Sequence, residues 1–370
     1  MLTWVEINRE AIEHNLKVFR RLIGKKVQLM PVIKSNAYGH GFFEVAKICE
    51  MSPAVNRICV VSLAEALALR QINIRKPIVI LSIFELDAVS VAEGIKKNIA
   101  FPLYTLKHAA FLNSIGKKLH KRVQVHLKID IGTTRVGVLI SELNLFLNEL
   151  KKFSYLNIEG LFGHYASSEF NSAYTKKQLV QFNEADKILK NHGLTPTIKH
   201  TACSAATMLH PEAYGNAVRV GLGIYGLQPS VHTAKKVRLR PALSWQTTVI
   251  QVKTVPRGTR ISYGGTFITK RQTRLAILPV GYWDGYVRAL SNKSFVILHG
   301  KRCPVRGRIC MNLTIVDVTE APKVTVGDKA TLIGEQGKTA VTADELAKLS
   351  DTINYEVTTR INPLLPRVLV

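Results

Sequence analysis

The stretch Val32-Ile33-Lys34-Ser35-Asn36-Ala37-Tyr38-Gly39-His40-Gly41 puts a lysine where the apolar run 29–33 gives way to a small, polar, glycine-bearing turn. Alone, the pattern favours a solvated strand end, the ordinary place for a lysine. The other reading is an amine nucleophile, which condenses with a carbonyl and can afterwards carry a proton. Further reactive groups recur in the same setting, each at or just after the end of an apolar run: Lys128, Asp130 and Arg135; His164 and Tyr165; His200 and Ser204; Arg219 and Gly221.

Such groups need a frame that collects run ends in one place. Eight runs rich in Val, Ile and Leu, at 29–33, 58–62, 78–82, 99–103, 123–129, 158–162, 197–200 and 217–220, read as strands. Helical patterns such as "LAEALALRQ", "LKHAAFLNSIGKKL", "ELNLFLNELKK" and "TKKQLVQFNEADKILKNHG" lie between them. Alternation of this kind implies a parallel sheet covered by helices, and eight repeats imply a (β/α)8 TIM-like barrel over residues 1–238. After Pro241 the texture turns to β-rich segments punctuated by Gly and Pro, so residues 239–370 are expected to form a mainly antiparallel β domain, with "HTAKKVRLRP" as linker.

Barrels of this kind carry their chemistry at the C-terminal ends of the strands, which is where the reactive groups fall. The last two strands supply "HTACSAA" and "VRVGLG". Small residues there let backbone N–H groups approach a phosphate, and they equally permit tight packing at a rim. A lysine facing a phosphate pocket suggests a Schiff base with a phosphorylated aldehyde, pyridoxal 5'-phosphate.

Composition sets bounds on this reading. The chain has 370 residues, 46% of them apolar, enough for a large core. No apolar run is long enough to span a bilayer and the N-terminal segment is charged, which places the protein in the cytoplasm. Cys49, Cys59, Cys203, Cys303 and Cys310 are scattered, without metal-ligand spacing, so neither a metal site nor a disulfide framework is indicated. Lys and Arg total 51 against 26 Asp and Glu, a net charge of +25. The cations occur in pairs along the chain with no basic block interleaved with aromatics, which argues against a nucleic-acid site.

Taken in order, "TWVEINREAIEHNL", "VIKSNAYGHG", "LKIDIGTTRVG", "GLFGHYASS", "VRVGLGIYG", "ISYGGTF", "LPVGYWDGY", "GRICMN" and "INYEVTTRI" resemble the alanine racemase family over essentially the whole chain. The resemblance implies a pyridoxal phosphate enzyme of fold type III that interconverts L- and D-alanine and supplies D-alanine for peptidoglycan. A broad-specificity amino-acid racemase is the rival. By the same resemblance, Lys34 bonds the cofactor aldehyde, and Tyr38, Ser204, the amides of Gly221 and Leu222, and Tyr355 hold its phosphate. Arg219 faces the pyridine nitrogen, with His164 nearby. Lys34 and Tyr263 are the two bases, on opposite faces of the cofactor, and the tyrosine comes from the partner subunit of a homodimer. Arg135 and the amide of Met311 meet the substrate carboxylate, a carbamylated Lys128 orients Arg135, and Tyr282 with Tyr355 narrows the entrance. Cys203, Asn312 and Trp283 depart from the family's commonest pattern, which bears on local hydrogen bonding and on the shape of the gate.

Overall fold

The computed structural model of the protein describes residues 1–321 and 323–370. All eight expected strands are present: β1 (Gln28–Pro31), β2 (Ile58–Val60), β3 (Ile78–Ile80), β4 (Ile99–Leu103), β5 (Val123–Asp130), β6 (Leu156–Phe162), β7 (Ile198–His200) and β8 (Ala217–Val220). They are parallel, in the order β1-β8-β7-β6-β5-β4-β3-β2. A single bridge between Val32 and Cys59, with the Ile33 amide donating to the Cys59 carbonyl at 3.0 Å, brings β1 beside β2 and closes the barrel.

Helices start between the strands where side-chain oxygens meet otherwise unbonded amides. Ser62, Asp87, Thr105 and Asn171 each accept from an amide three residues on, opening Leu63–Gln71, Ala88–Lys96, Leu106–Lys118 and Ser172–Asn191. Helix Arg9–Ile23 buries Ile12, Leu16 and Phe19. Its Asn15 donates to the carbonyls of Ile224 and Arg240 and accepts from the Arg240 amide. The expected linker is partly helical: Val231–Lys236 is a short helix opened by a reciprocal Ser230–Thr233 capping pair.

The chain divides into two units, one of Glu10–Ser35 with Val45–Pro241, the other of Met1–Arg9, Asn36–Glu44 and Ala242–Val370. The expected division at 238/239 therefore lies three residues early, and it omits two excursions. Thr3–Ile7 joins the β-rich unit because it is a strand there, antiparallel to Leu243–Thr248 and parallel to Arg367–Leu369. Asn36–Glu44 joins it because the Arg367 guanidinium donates to the Gly39 carbonyl. At Gly39, with φ of +88°, a Cβ would lie 1.9 Å from the Thr358 carbonyl oxygen. The β-rich unit is otherwise antiparallel, with a second sheet of Gln251–Val255, Thr273–Leu278 and Thr314–Asp317. No helix among the described residues is long and apolar enough to cross a membrane.

Candidate active site

Lys34 follows β1 and opens a five-residue turn, Lys34–Tyr38, whose last four residues have φ between 51° and 55°. None is glycine, so this is a short left-handed helix, costing about 1–2 kcal/mol per residue. Its ends are held by side chains. The Ser35 amide donates to Glu65 Oε1 at 2.8 Å while Glu65 Oε2 takes the Val61 amide, and Asn36 Oδ1 takes the Phe42 amide. Lys34 is half-buried, and burial, then the Arg135 charge, holds its amine below the usual lysine range, with Glu65 opposing.

Arg219, in β8, is the best-anchored charge on the rim. Its Nη1 donates to His200 Nδ1 at 2.7 Å and to the His200 carbonyl at 2.6 Å; its Nη2 donates to the carbonyls of Gly163 and Thr201 and to His164 Nδ1 at 3.1 Å. The Nε–H has no partner among the described residues and is the donor left for a ligand. Because Arg219 has only donors to offer, His164 and His200 must both present a bare Nδ1. Burial first, then the charges of Arg219, Arg135, Lys128 and Lys34, push His164 well below its ordinary value, so it is neutral at pH 7. A neutral imidazole ringed by four cations marks a field that draws anions.

Lys128, in β5, is buried beside the Phe162 ring, 5.4 Å from Nζ to centroid, and Arg219 lies 5.6 Å from the same ring. Burial, then Arg219 and Arg135, lowers its amine to about 8. Arg135 is exposed, on a loop organised by Asp130, whose Oδ1 accepts the amides of Gly132, Thr133 and Thr134 at 2.9, 3.0 and 3.1 Å.

Ser204 and Leu222 each open a short helical segment, Ser204–Leu209 and Leu222–Tyr225, whose first amides have no acceptor within the turn. The Gly223 amide donates to Ser204 Oγ at 3.2 Å, which sets these two starts side by side and leaves the Ser204 hydroxyl hydrogen available. A Cβ at Gly223 would meet Phe19 at 2.4 Å, so packing and amide presentation, the two readings of these small residues, both apply. Cys203 shares its sulfur with Ser168 Oγ at 3.3 Å.

The remaining expected residues lie in the β-rich unit. Tyr38 and Tyr355 have ring centroids 6.2 Å apart. Tyr263, Met311, Tyr282 and Trp283 form a second group. Ser262, at φ 61°, bonds the Arg308 carbonyl and approaches the Cys310 sulfur, while the Tyr282 and Trp283 amides donate to the carbonyls of Cys310 and Met311. Gly281 permits this: a Cβ there would lie 2.2 Å from the Cys310 carbonyl oxygen. All four side chains are exposed, Tyr263 at 72%. Thus Lys34, Lys128, Arg135, His164, Ser204, Arg219, Gly221 and Leu222 belong to the barrel, and Tyr38, Tyr263, Tyr282, Met311 and Tyr355 to the other unit. Glu65, His126 and Glu159 are polar contributors that strand-end counting passes over; the signal for the last two is a polar residue inside the apolar runs "VQVHLKID" and "LNIEGLF".

Residues 7–229 match the family described as "Alanine racemase, N-terminal domain" and residues 242–369 match "Alanine racemase, C-terminal domain". The chain is 39% identical over 370 residues to "Alanine racemase 2" of Caldanaerobacter subterraneus subsp. tengcongensis, covering 100% of this chain and 95% of that one. To the alanine racemase of Methanococcus maripaludis it is 37% identical, covering 99% and 98%. Among solved structures, the alanine racemase of Clostridium difficile 630 superposes with a TM-score of 0.94 at 35% identity, covering 100% and 96%. The Bacillus anthracis alanine racemase with bound L-Ala-P gives 0.92 at 34% identity, covering 100% and 95%.

Proposed function

The chain belongs to the alanine racemase family, a pyridoxal-phosphate-dependent isomerase family, and from that premise we propose that it moves the α-proton of alanine between two bases, Lys34 and Tyr263. The observation that carries the reading is the cationic rim around neutral His164, in which one amine, Lys34, sits half-buried and depressed. The residues fit the cofactor. Lys34 would bond its aldehyde, the starts at Ser204 and Leu222 would take its phosphate with Tyr38 and Tyr355, and the spare Arg219 Nε–H would meet its ring nitrogen. Bound there, pyridoxal phosphate supplies the electron sink that makes the α-hydrogen of alanine acidic.

The chain's own groups do the rest. Arg219 holds a hydrogen bond without surrendering its proton, since burial lowers its proton affinity but a guanidinium still stays charged at neutral pH. Arg135, with Lys128 behind it and the Met311 amide, receives the substrate carboxylate. Lys34 Nζ takes or returns the proton on one face, aided by a lowered proton affinity. Tyr263 serves the other face from a second copy of the chain, which is consistent with its high exposure alongside Tyr282 and Met311. D-alanine made this way supplies peptidoglycan.

Borohydride reduction and peptide mapping test the anchor: the phosphopyridoxyl group is expected on Lys34, and its recovery elsewhere overturns the assignment. In D2O, early turnover of L-alanine is expected to place deuterium at Cα of the D-alanine product while the remaining L-alanine keeps its α-hydrogen; transfer of that hydrogen into the product, as one base serving both faces would give, refutes the two-base reading. D-products from a panel of L-amino acids would favour the broad-specificity rival.

A further inference from the structure

Behind Arg219 runs a string of buried polar groups that the proposed reaction does not use. His200 Nε2 lies 2.8 Å from His126 Nδ1, His126 Nε2 lies 3.2 Å from Glu159 Oε2, and Glu159 Oε1 accepts from Arg57 Nη2 at 2.7 Å. Arg57 in turn donates from Nε to Gln28. Both imidazoles are fully buried. Arg57 and Glu159 line a cavity of about 630 Å³ with Pro77, Asn98 and Gln124, residues at the N-terminal ends of the strands. The string therefore crosses the barrel from its reactive rim to its opposite mouth.

Its proton order is determined by its ends. Arg219 can only donate and an ionised Glu159 can only accept. Two neutral imidazoles between them complete all the bonds in one arrangement alone: Nδ1 bare and Nε2 protonated on both rings. Burial lowers the proton affinity of both histidines, His200 strongly, which keeps them neutral. Burial tends to raise the Glu159 carboxyl, but the His126 hydrogen bond and the Arg57 charge outweigh it and keep the group ionised.

The backbone is shaped for this contact. Between β5 and β6 the register jumps, Val125 standing opposite Ile158 but His126 opposite Gly160, so that Glu159 is an extra residue in its strand. Gly160 is the space for the ring, since a Cβ there would lie 2.3 Å from His126 Nδ1. An irregular register, a glycine and a partly buried acid thus serve two histidines that pack against nothing reactive except Arg219.

We infer that His126 and Glu159 are positioning residues, locking the His200 tautomer so that Arg219 keeps its Nη1 donors on His200 and its Nε–H free for the cofactor. This deepens the reading of Arg219 given above and rests on it. Neither residue touches the reacting atoms.

The test combines histidine 15N NMR with kinetics on the holoenzyme. In the unsubstituted protein, both rings are expected to show a pyrrole-type Nε2 and a pyridine-type Nδ1; a proton on either Nδ1 overturns the proposal without any variant. Glu159→Leu is expected to mix the tautomers of both rings and lower kcat about 10- to 100-fold, the range for a displaced reactive geometry, with the KM for alanine little changed. Glu159→Gln keeps an acceptor oxygen and is expected to restore both readouts. Tautomers or kcat unchanged in Glu159→Leu, or no rescue by Gln, sinks the idea. Failure of the underlying reading would show separately, as an unsubstituted protein with no phosphopyridoxyl group on Lys34.

Discussion

Arg219 and His200 are joined twice, one guanidinium nitrogen donating both to the imidazole Nδ1 and to the carbonyl of the same residue. The double contact fixes the plane of the guanidinium, and the carbonyls of Gly163 and Thr201 fix its other arm. Lysine, with three rotatable donors on a point charge, cannot reproduce that fork. Arg219→Lys is expected to leave at least one of these buried acceptors unpaired and to destabilise the barrel by about 1–3 kcal/mol. Urea unfolding with and without cofactor measures it; an unchanged midpoint would contradict the account.

Lys128 gives a pH-dependent prediction. Its amine is lowered from 10.5 to about 8 in the folded chain. Between those values the unfolded chain binds more protons, so this group makes stability rise with pH across that window. Below pH 8 the charged form is a constant penalty of about 3 kcal/mol, an order-of-magnitude figure. Lys128→Met is therefore expected to stabilise the unmodified protein at pH 7 and to lose that advantage near pH 10. Added bicarbonate, by making the anionic carbamate, is expected to stabilise the unsubstituted protein but not the variant.

Asp130 acts on substrate through the loop it organises. Asp130→Ala frees three amides and lets Arg135 wander, so the KM for alanine is expected to rise about tenfold with kcat nearly unchanged, the signature of lost uniform binding. A fall in kcat alone would assign Asp130 a different role.

Tyr263 separates chemistry from folding. At 72% exposure in the single chain, its hydroxyl contributes little to the fold of the chain that carries it. Tyr263→Phe is expected to leave the melting temperature within about 1 °C while lowering racemisation about 10²- to 10⁴-fold. Mixing it with a Lys34→Ala chain should restore part of the activity if each site draws on two copies.

Much of the fold was legible in the sequence because barrel strands are short apolar runs with local order, and all eight lie where the runs lie. Ends differed by a residue or two: Pro31 closes the β1 ladder before Val32 makes its lone bridge. What pattern reading missed depends on distant partners. Thr3–Ile7 looks like the start of a barrel, yet its neighbours are Leu243–Thr248 and Arg367–Leu369. Tyr38, four residues from Lys34, belongs to the other unit because the chain turns through a left-handed helix that nothing in "KSNAY" announces. His126 and Glu159 escaped because a one-residue register jump, invisible in composition, makes them partners.

The strand Thr3–Ile7 also carries a consequence for synthesis. It leaves the ribosome before both of its neighbours, since the strand on one side of it begins at Leu243 and the one on the other at Arg367. At about 5–20 residues per second, that leaves Val5 and Ile7 waiting on the order of half a minute for their cover. The barrel can assemble in the interval, whereas the sheet is completed only once Arg367–Leu369 has emerged. A nascent chain arrested before Leu243 would carry Thr3–Ile7 as an unpaired apolar edge, the kind of segment that recruits other chains.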